Sequence, residues 1–272
     1  MTDDSLVLND EGARRPGPRQ LTFGQHALAF VKELLGVLVG ALIVASLLRA
    51  LVGQMFLIPS ASMEQTLRID DRVAVEKLGR LQRGEVVVFE NPGGWLTGPA
   101  APERGVLGQA LQFVGVLPDP STEHLVKRVV GVAGDRVACC DADGRLRVNG
   151  QPLDETSYLD TGVGGVQARP STLRFEVVVP KDRIFVLGDN REHSRDSRCH
   201  LNDVRAGLVK GGNAFVPVDL VVGRAVAVVW PVDHARLLRI PATFDPARLD
   251  RDAAAPAAPL TPTIDAGPEA TC

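Results

Sequence analysis

Aromatic residues are scarce in this sequence. Of its 272 residues only 4% are aromatic, as nine Phe, two Trp and one Tyr. A core therefore has to be built from Val, Leu, Ala and Ile, and apolar residues reach 45% of the chain. With 23% charged residues, this composition excludes a wholly disordered protein and leaves room for one large domain or two small ones.

Excess positive charge is also absent. The chain has 30 Lys and Arg against 33 Asp and Glu, for a net charge of −3, so it carries no strongly basic field and we expect no nucleic-acid partner. Lysine itself is rare. The five lysines are Lys32, Lys77, Lys127, Lys181 and Lys210. A lysine on an apolar stretch is therefore more informative here than in most sequences.

Cysteine is limited to four residues, Cys139, Cys140, Cys199 and Cys272, and they lack the paired CxxC spacing of a zinc site. Four are too few for a disulfide scaffold, and a bond between neighbours is strained. We expect free thiols, with a bridge from Cys139 or Cys140 to Cys199 as the alternative.

Several hydrolase and nucleotide-binding motifs are missing. The chain has no GxSxG, HExxH, Walker A or GxGxxG sequence. None of its five histidines stands in a setting that indicates a base. A Ser–His–Asp triad that uses His124 or His193 stays open as an alternative.

One long apolar run is present near the N-terminus. Residues 34–48 are all apolar or small, and the apolar character continues after Arg49 to Ile58. These 25 residues suffice for a bilayer, which needs roughly 20 in a helix. We expect a flexible cytoplasmic tail over 1–26 and a transmembrane anchor helix over 27–58. A cleaved signal peptide is the alternative, although no small-x-small cleavage site follows.

Basic residues precede this run, which predicts a cytoplasmic N-terminus and an extracytoplasmic remainder. Short β-type runs separated by Gly, Pro and Asp follow it, without intervening helices, and predict antiparallel sheets. The runs are 71–78, 84–90, 124–132, 135–138, 145–150, 174–179, 183–188 and 223–230. The predicted fold is therefore mainly β: an N-terminal transmembrane helix, then a catalytic domain over 59–240.

Two segments do not fit the strand pattern. Residues 92–120 are rich in Gly and Pro and are interpreted as an insertion. Its apolar residues, Trp95 among them, fit either a segment that dips into the membrane interface or a covered surface loop. Residues 241–272 are rich in Pro and Ala and predict a disordered tail.

Three motifs in the β region carry polar groups suited to chemistry. The first, PSASMEQTL, contains Ser60 and Ser62, although serine is also common in helix caps and turns. The second, HLVKRVVGVAGD, places Lys127 between apolar residues of a strand. A lysine there is easily desolvated, which lowers its pKa, although a basic residue also protects an edge strand from aggregation.

The third motif, GDNREHSRDSR, follows a strand and is dense in charge. It fits a self-bonded loop that supports a site. A metal loop built from Asp189, His193, Asp196 and His200 is the alternative. It is disfavoured because two arginines stand among the acids as countercharges, and we expect no metal.

Together and in this order after an apolar span, the three motifs resemble type I bacterial signal peptidases, over about Phe56 to Pro231. The single span is similar to the Gram-positive form, and the composition would suit an actinobacterial source. The resemblance implies a signal peptidase or self-cleaving-repressor type of β fold and a serine–lysine dyad protease without cofactors.

The resemblance also implies residue roles. Ser62 matches the nucleophile and Lys127 the general base, while Ser60 and the backbone N–H of Ser62 match the oxyanion hole. Ser194 matches a serine that holds the lysine by a hydrogen bond. Supporting charges correspond to Asp189, Arg191, Asp196 and Arg198. Pockets for small side chains at the −1 and −3 substrate positions, as in A-x-A sites, correspond to Ile58, Pro59, Leu67, Leu125 and Val126.

The expected partners are signal peptides of secretory preproteins and the lipid bilayer, with the secretion translocase nearby. Gln65 departs from the family, which often has proline there. A self-cleaving repressor of the same Ser–Lys class is one alternative, but it requires a DNA-binding module where this chain has an apolar span. An anchored β domain that binds partners without catalysis is the other.

Overall fold

The computed structural model describes residues 23–52, 54–77, 79–96, 105, 124–161, 166–250 and 258–267. It divides into two compact units, 1–45 and 46–272. The only long helix among these residues is α1, Phe23–Val52. Within the described part of the chain, no helix combines the length and apolar character that a membrane crossing requires.

The end of the predicted anchor helix is wrong. The expected helix runs to residue 58, whereas α1 ends at Val52 and Gln54–Leu57 form strand β1. β1 pairs antiparallel with β2, Arg72–Glu76, so its backbone groups find partners in a sheet. An apolar run does not by itself distinguish a continuing helix from a buried strand.

The larger of two antiparallel sheets holds eight strands in the order β1-β2-β11-β3-β4-β9-β10, with β12 beside β11. Besides β1 and β2, its strands are β3 Val86–Glu90, β4 His124–Gly131, β9 Arg183–Leu187, β10 Val216–Pro217, β11 Val221–Trp230 and β12 Arg236–Leu237. β4 lies between β3 and β9, which places the segment after β9 next to the middle of β4.

The second sheet has five strands in the order β13-β8-β5-β6-β7. They are β5 Arg136–Cys139, β6 Leu146–Val148, β7 Gln151–Pro152, β8 Phe175–Val178 and β13 Thr263–Ala266. The prediction of a mainly β protein with antiparallel sheets is confirmed. All eight predicted strands form, and β1, β7, β10, β12 and β13 are additional.

Valine and leucine are prominent in three buried clusters, as the composition predicts, but phenylalanine also fills much of this core, which the scarcity of aromatics did not predict. One cluster centres on the second sheet and includes Phe175, Phe185 and Phe215. A second lies below the PSASM segment and includes Ile58, Met63 and Leu67. The third contains Phe89 and Trp95.

For Trp95 the structure favours the covered-loop alternative over a place in the membrane interface. Trp95 is only 1% exposed, its indole N–H donates to the Asn213 carbonyl at 3.0 Å, and its ring stacks on His200. Leu96, beside it, is exposed. Most of the predicted insertion lies outside the described residues.

The expectation of a disordered C-terminal tail is also wrong over much of its length. Phe244 and Leu249 are buried in the cluster of the second sheet, and the short helix α2, Pro246–Leu249, is capped by Asp245. Strand β13 pairs with β8. A few well-spaced apolar residues are therefore enough to hold a Pro/Ala-rich segment against an existing core.

The expectation of free thiols is wrong as well. Cys139 and Cys140 are bonded to each other, so neither bridges to Cys199. Cys199 is also disulfide-bonded.

The C-terminal packing leads to a stability prediction. Phe244→Ala removes a ring that is 1% exposed and contacts Tyr158, and we expect it to lower the free energy of unfolding by about 3–5 kcal/mol. Denaturant unfolding of the full chain measures the change. Leu260→Ala, at a side chain that is 85% exposed, is the matched control. A loss for Phe244→Ala no larger than the control's would show that this segment does not belong to the core.

Candidate active site

The two serines of the first motif lie in a tight segment between β1 and β2. Ser62 belongs to a single 3-10 turn, Ala61–Met63, and its side chain is buried. Backbone hydrogen bonds between Ile58 and the Asp70–Asp71 pair close the segment at its base. Because Ile58 and Met63 are packed in the cluster below, the Ser62 hydroxyl is held in a fixed place.

Lys127 reaches Ser62 from strand β4. Its Nζ donates a hydrogen bond to Ser62 Oγ at 2.6 Å and a second to the Val126 carbonyl at 3.1 Å. The lysine is 3% exposed although it carries a long polar side chain. The structure thus brings together two residues that are 65 positions apart in the sequence.

Burial shifts the protonation of this lysine. Removal of the ammonium group from water lowers the pKa of Lys127 from 10.5 to about 8. The negative charges of Asp196 and Asp189 oppose that shift, while Arg198 adds to it. A pKa near 8 leaves a useful fraction of neutral amine at neutral pH, which a general base needs.

Ser60 lies next to the dyad. Its Oγ is 3.3 Å from Ser62 Oγ, and the residue is exposed. A hydroxyl at this place is open to an incoming carbonyl group, which suits the role that the resemblance implies for it.

The third motif supports the serine segment from the other side. The backbone N–H of Asn190 donates to the Ser62 carbonyl at 3.1 Å, and its side-chain amide donates to the Ala61 carbonyl at 3.2 Å. Since Asn190 follows β9, which pairs with β4, one sheet positions both the lysine and the clamp on the serine.

Buried ion pairs fix the charged residues of this motif. Asp189 accepts two bonds from Arg128, at 2.8 and 2.6 Å, and one from the Thr66 hydroxyl at 2.5 Å. Asp196 accepts two bonds from Arg198, each at 2.8 Å, and one from the Gly188 N–H. Burial alone would raise the pKa of Asp196, but the Arg198 guanidinium holds it below its ordinary value.

Arg191 pairs with a residue outside the three motifs. Its guanidinium binds Glu155 at 2.5 Å, and its Nε–H donates to the Gly188 carbonyl at 2.9 Å. Tyr158 donates to the same carboxylate at 2.6 Å, and its ring lies 4.5 Å below the Arg128 guanidinium. The supporting charges expected from the sequence all lie in this network.

Ser194 differs from its expected role. The residue is buried beside Asp196, and among the hydrogen bonds that the structure describes the expected bond from Ser194 to Lys127 is not present. Lys127 Nζ instead uses Ser62 Oγ and the Val126 carbonyl. Ser194 lies tightly against Gly188, which leaves no space for any larger residue at position 188.

The alternatives based on histidine or metal gain no support from these positions. Asp189 and Asp196 are each bound by an arginine, while His200 pairs with Asp203 and stacks on Trp95. His193 is exposed. The proton acceptor beside Ser62 Oγ is an amine, so a Ser–His–Asp arrangement is not what the fold assembles.

The five residues expected to line substrate pockets differ in burial and in the cluster against which they pack. Ile58, Leu67 and Val126 are buried together in the cluster below the serine segment, where they form the floor of the region and not its open surface. Pro59 is exposed. Leu125 is half-buried and packs against the other cluster, that of Phe89 and Trp95, because neighbouring residues of a strand face opposite sides.

Five supporting residues were missed by the sequence reasoning: Thr66, Arg128, Glu155, Tyr158 and Asn190. Thr66, Arg128 and Asn190 lie inside the three motifs. Their position in these sequences, close to Ser62, Lys127 and Asp189, was the signal that could have identified them as supporting residues. Glu155 and Tyr158 lie in a loop after β7 that has no motif, and nothing in the local sequence distinguishes them.

A serine hydroxyl held by a buried amine is the arrangement of serine hydrolases that use lysine as their base. Comparison with known proteins gives the family. Residues 31–230 match the family model described as "Signal peptidase, peptidase S26". The chain belongs to the signal peptidase family, peptidase S26, and is a serine endopeptidase; the resemblance drawn from the motifs is confirmed.

Individual relatives are also named as signal peptidases. The chain is 39% identical over 202 residues to a "Probable signal peptidase I" of Mycobacterium leprae, over 66% of this chain and 69% of the relative. It is 38% identical over 229 residues to a "Signal peptidase I" of Mycobacterium tuberculosis, over 77% and 76%. A solved signal peptidase I of Enterococcus faecalis is 20% identical with a TM-score of 0.29, over 54% of this chain and 97% of that one.

The close packing at Gly188 leads to a prediction about the site. A Cβ at this position would lie 2.5 Å from the Ser62 carbonyl oxygen and 2.5 Å from Ser194 Cβ. We expect Gly188→Ala to displace the Ser62 segment and to lower kcat by about 10²-fold. Gly267→Ala, where an added Cβ meets nothing within 4 Å, is the control. Equal kcat in a folded Gly188→Ala protein would show that this contact does not position Ser62.

Proposed function

We propose Ser62 and Lys127 as the catalytic dyad with which this signal peptidase cleaves signal peptides from preproteins. The observation that carries the proposal is the 2.6 Å hydrogen bond between Lys127 Nζ and Ser62 Oγ, made by an amine that is almost completely buried. A base within hydrogen-bond reach and a pKa near the working pH are the two requirements for proton abstraction.

The proposed reaction has two halves. The neutral amine of Lys127 takes the Ser62 proton while Oγ bonds to the scissile carbonyl carbon, whose π electrons move to oxygen. Collapse of this tetrahedral intermediate breaks the C–N bond, and Lys127 passes its proton to the leaving amine. Lys127 then deprotonates a water that attacks the ester, which releases the signal peptide and restores Ser62.

Negative charge develops on the carbonyl oxygen in both halves. We assign its stabilisation to the Ser60 hydroxyl and the backbone N–H of Ser62. The 3.3 Å separation of the two serine oxygens and the exposure of Ser60 support this role, since a donor here lies beside the attacking atom.

The proposed cleavage sites carry small residues at the −1 and −3 positions, as in A-x-A sequences. Exposed Pro59, above the buried side chains of Ile58, Leu67 and Val126, is the candidate binding surface; Leu125, also expected there, packs on the opposite side of β4. The complete burial of Ile58 and Leu67 supports a shallow surface, because a floor that is already filled leaves depth only for small side chains.

Bacterial signal peptidases of this family are membrane-anchored. For this chain we propose an anchor within the apolar run that begins at Leu34, a cytoplasmic N-terminus, a catalytic domain on the outer face and proximity to the secretion translocase. The apolar residues 34–48 and the basic residues before them support this orientation. The exposed apolar side chains of α1, such as Val37 and Leu38, also favour a lipid environment.

Cleavage of a preprotein tests the function directly. The full chain in detergent is incubated with a preprotein that carries an A-x-A site, and mass spectrometry locates the cut. We expect one cut after the second alanine, and a loss of at least about 10³-fold in kcat for Ser62→Ala. Thr172→Ala, which removes a hydroxyl from an exposed residue, is the matched control. Undiminished cleavage by Ser62→Ala would remove Ser62 from the mechanism and would favour the non-catalytic alternative for this segment.

Lys127→Arg distinguishes a role as general base from a role as a positive charge, because arginine keeps the charge but does not act as a base. We expect Lys127→Arg to abolish cleavage, because guanidinium keeps its proton in proteins and so has no neutral form to accept one from Ser62. The same assay measures kcat, circular dichroism checks the fold, and Lys181→Arg at an exposed lysine is the control. A folded Lys127→Arg protein with near-normal kcat would rule out the dyad.

A further inference from the structure

A cleft of about 520 Å³ lies apart from the dyad. Its lining includes Gln65 and Thr66, which follow the catalytic serine segment, but not Ser60, Ser62 or Lys127. The opposite wall comes from β11 and from the segment around β12. The signal peptidase mechanism makes no use of this space.

The lining of the cleft is rich in arginine. Arg128, Arg224, Arg236 and Arg239 line it, against a single carboxylate, Glu85. Two of these guanidinium groups are neutralised within the protein: Arg128 by Asp189, and Arg224 by Glu76 and Glu85. Their charge is therefore not available to a ligand.

Neither of the other two arginines has a direct carboxylate partner among the described residues; His234, which Arg236 contacts, itself pairs with Asp71. Arg236 donates to the Thr66 carbonyl at 2.5 Å and contacts His234, and neither of those partners is a carboxylate. Among the described residues, no Asp or Glu lies within ion-pair distance of Arg236 or Arg239, and both arginines are exposed. Two arginines without a direct carboxylate partner therefore line one concave surface of a chain whose net charge is −3.

We propose that this cleft binds a phosphate-class oxyanion, either free phosphate or the headgroup of an anionic phospholipid, through Arg236 and Arg239. The planar guanidinium fork matches phosphate oxygens in pairs, so two arginines that line one cleft offer several donors to a phosphate. The 70% exposed Leu237 and the 41% exposed Ile240 lie on the same lining, and an apolar rim of this kind suits the acyl chains of a lipid.

The site is close to the catalytic machinery but does not depend on it. Arg236 holds the carbonyl of Thr66, whose hydroxyl binds Asp189. A bound anion would therefore contact the segment that follows the proposed nucleophile. Because the proposal concerns binding alone, it can be tested in a protein without activity.

The experiment uses the full chain in detergent with Ser62→Ala, at one fixed salt concentration. Isothermal titration calorimetry compares sodium phosphate, short-chain phosphatidylglycerol and short-chain phosphatidylcholine. The double variant Arg236→Gln with Arg239→Gln removes the two cations. The double variant Arg169→Gln with Arg174→Gln removes two exposed arginines that do not line the cleft and is the matched control. Thermal melting confirms that each protein is folded.

We expect phosphatidylglycerol or phosphate to bind, and the Kd to weaken by about tenfold or more in the Arg236/Arg239 variant only. Binding of phosphate and phosphatidylglycerol with similar Kd identifies a free-anion site. Tighter binding of phosphatidylglycerol than of phosphate or phosphatidylcholine identifies a headgroup site. Absence of binding by both anions, or equal weakening in the two double variants, would overturn the proposal. Neither result depends on whether Ser62 is the nucleophile.

Discussion

The burial of a single amine determines how the rest of the site is built. Lys127 is 3% exposed, and removal of its ammonium group from water lowers its pKa to about 8. A lysine in water is neutral in only about one part in 10³ at pH 7. Burial therefore supplies the reactive form, and the fold has to hold that amine against Ser62 without giving it a carboxylate that would restore the proton.

The surrounding ion pairs satisfy that requirement. Of the four buried Lys and Arg side chains that the structure describes, Arg128, Arg191 and Arg198 each bind a carboxylate, and Lys127 does not. Because each nearby carboxylate is already engaged by an arginine, its field at Lys127 is partly offset. The same pairs fix Gly188 and Asn190, which hold the Ser62 segment. Removal of one partner would leave an uncompensated buried charge, so the network is strongly constrained.

The sequence predicted those parts of the site that depend on residues close together in the chain. The Ser62 and Lys127 motifs and strand β4, which carries Lys127, were predicted, because a run of apolar residues around an isolated lysine is visible within a short window. Glu155, Tyr158 and the burial of Phe244 were not, because each depends on contacts between distant segments. The absence of a Ser194–Lys127 hydrogen bond and the early end of α1 likewise depend on tertiary packing, which no local pattern records.

Direct titration of Lys127 tests the central claim. With only five lysines, ¹³C-labelled lysine side chains give few NMR signals in the full chain, and Lys127→Arg assigns the relevant one by its disappearance. The account predicts that this signal titrates near pH 8, well below the value of about 10.4 that is ordinary for a lysine in water. Titration of the Lys127 signal at that ordinary value would contradict the account, because the amine beside Ser62 would then be charged at working pH and unable to act as its base.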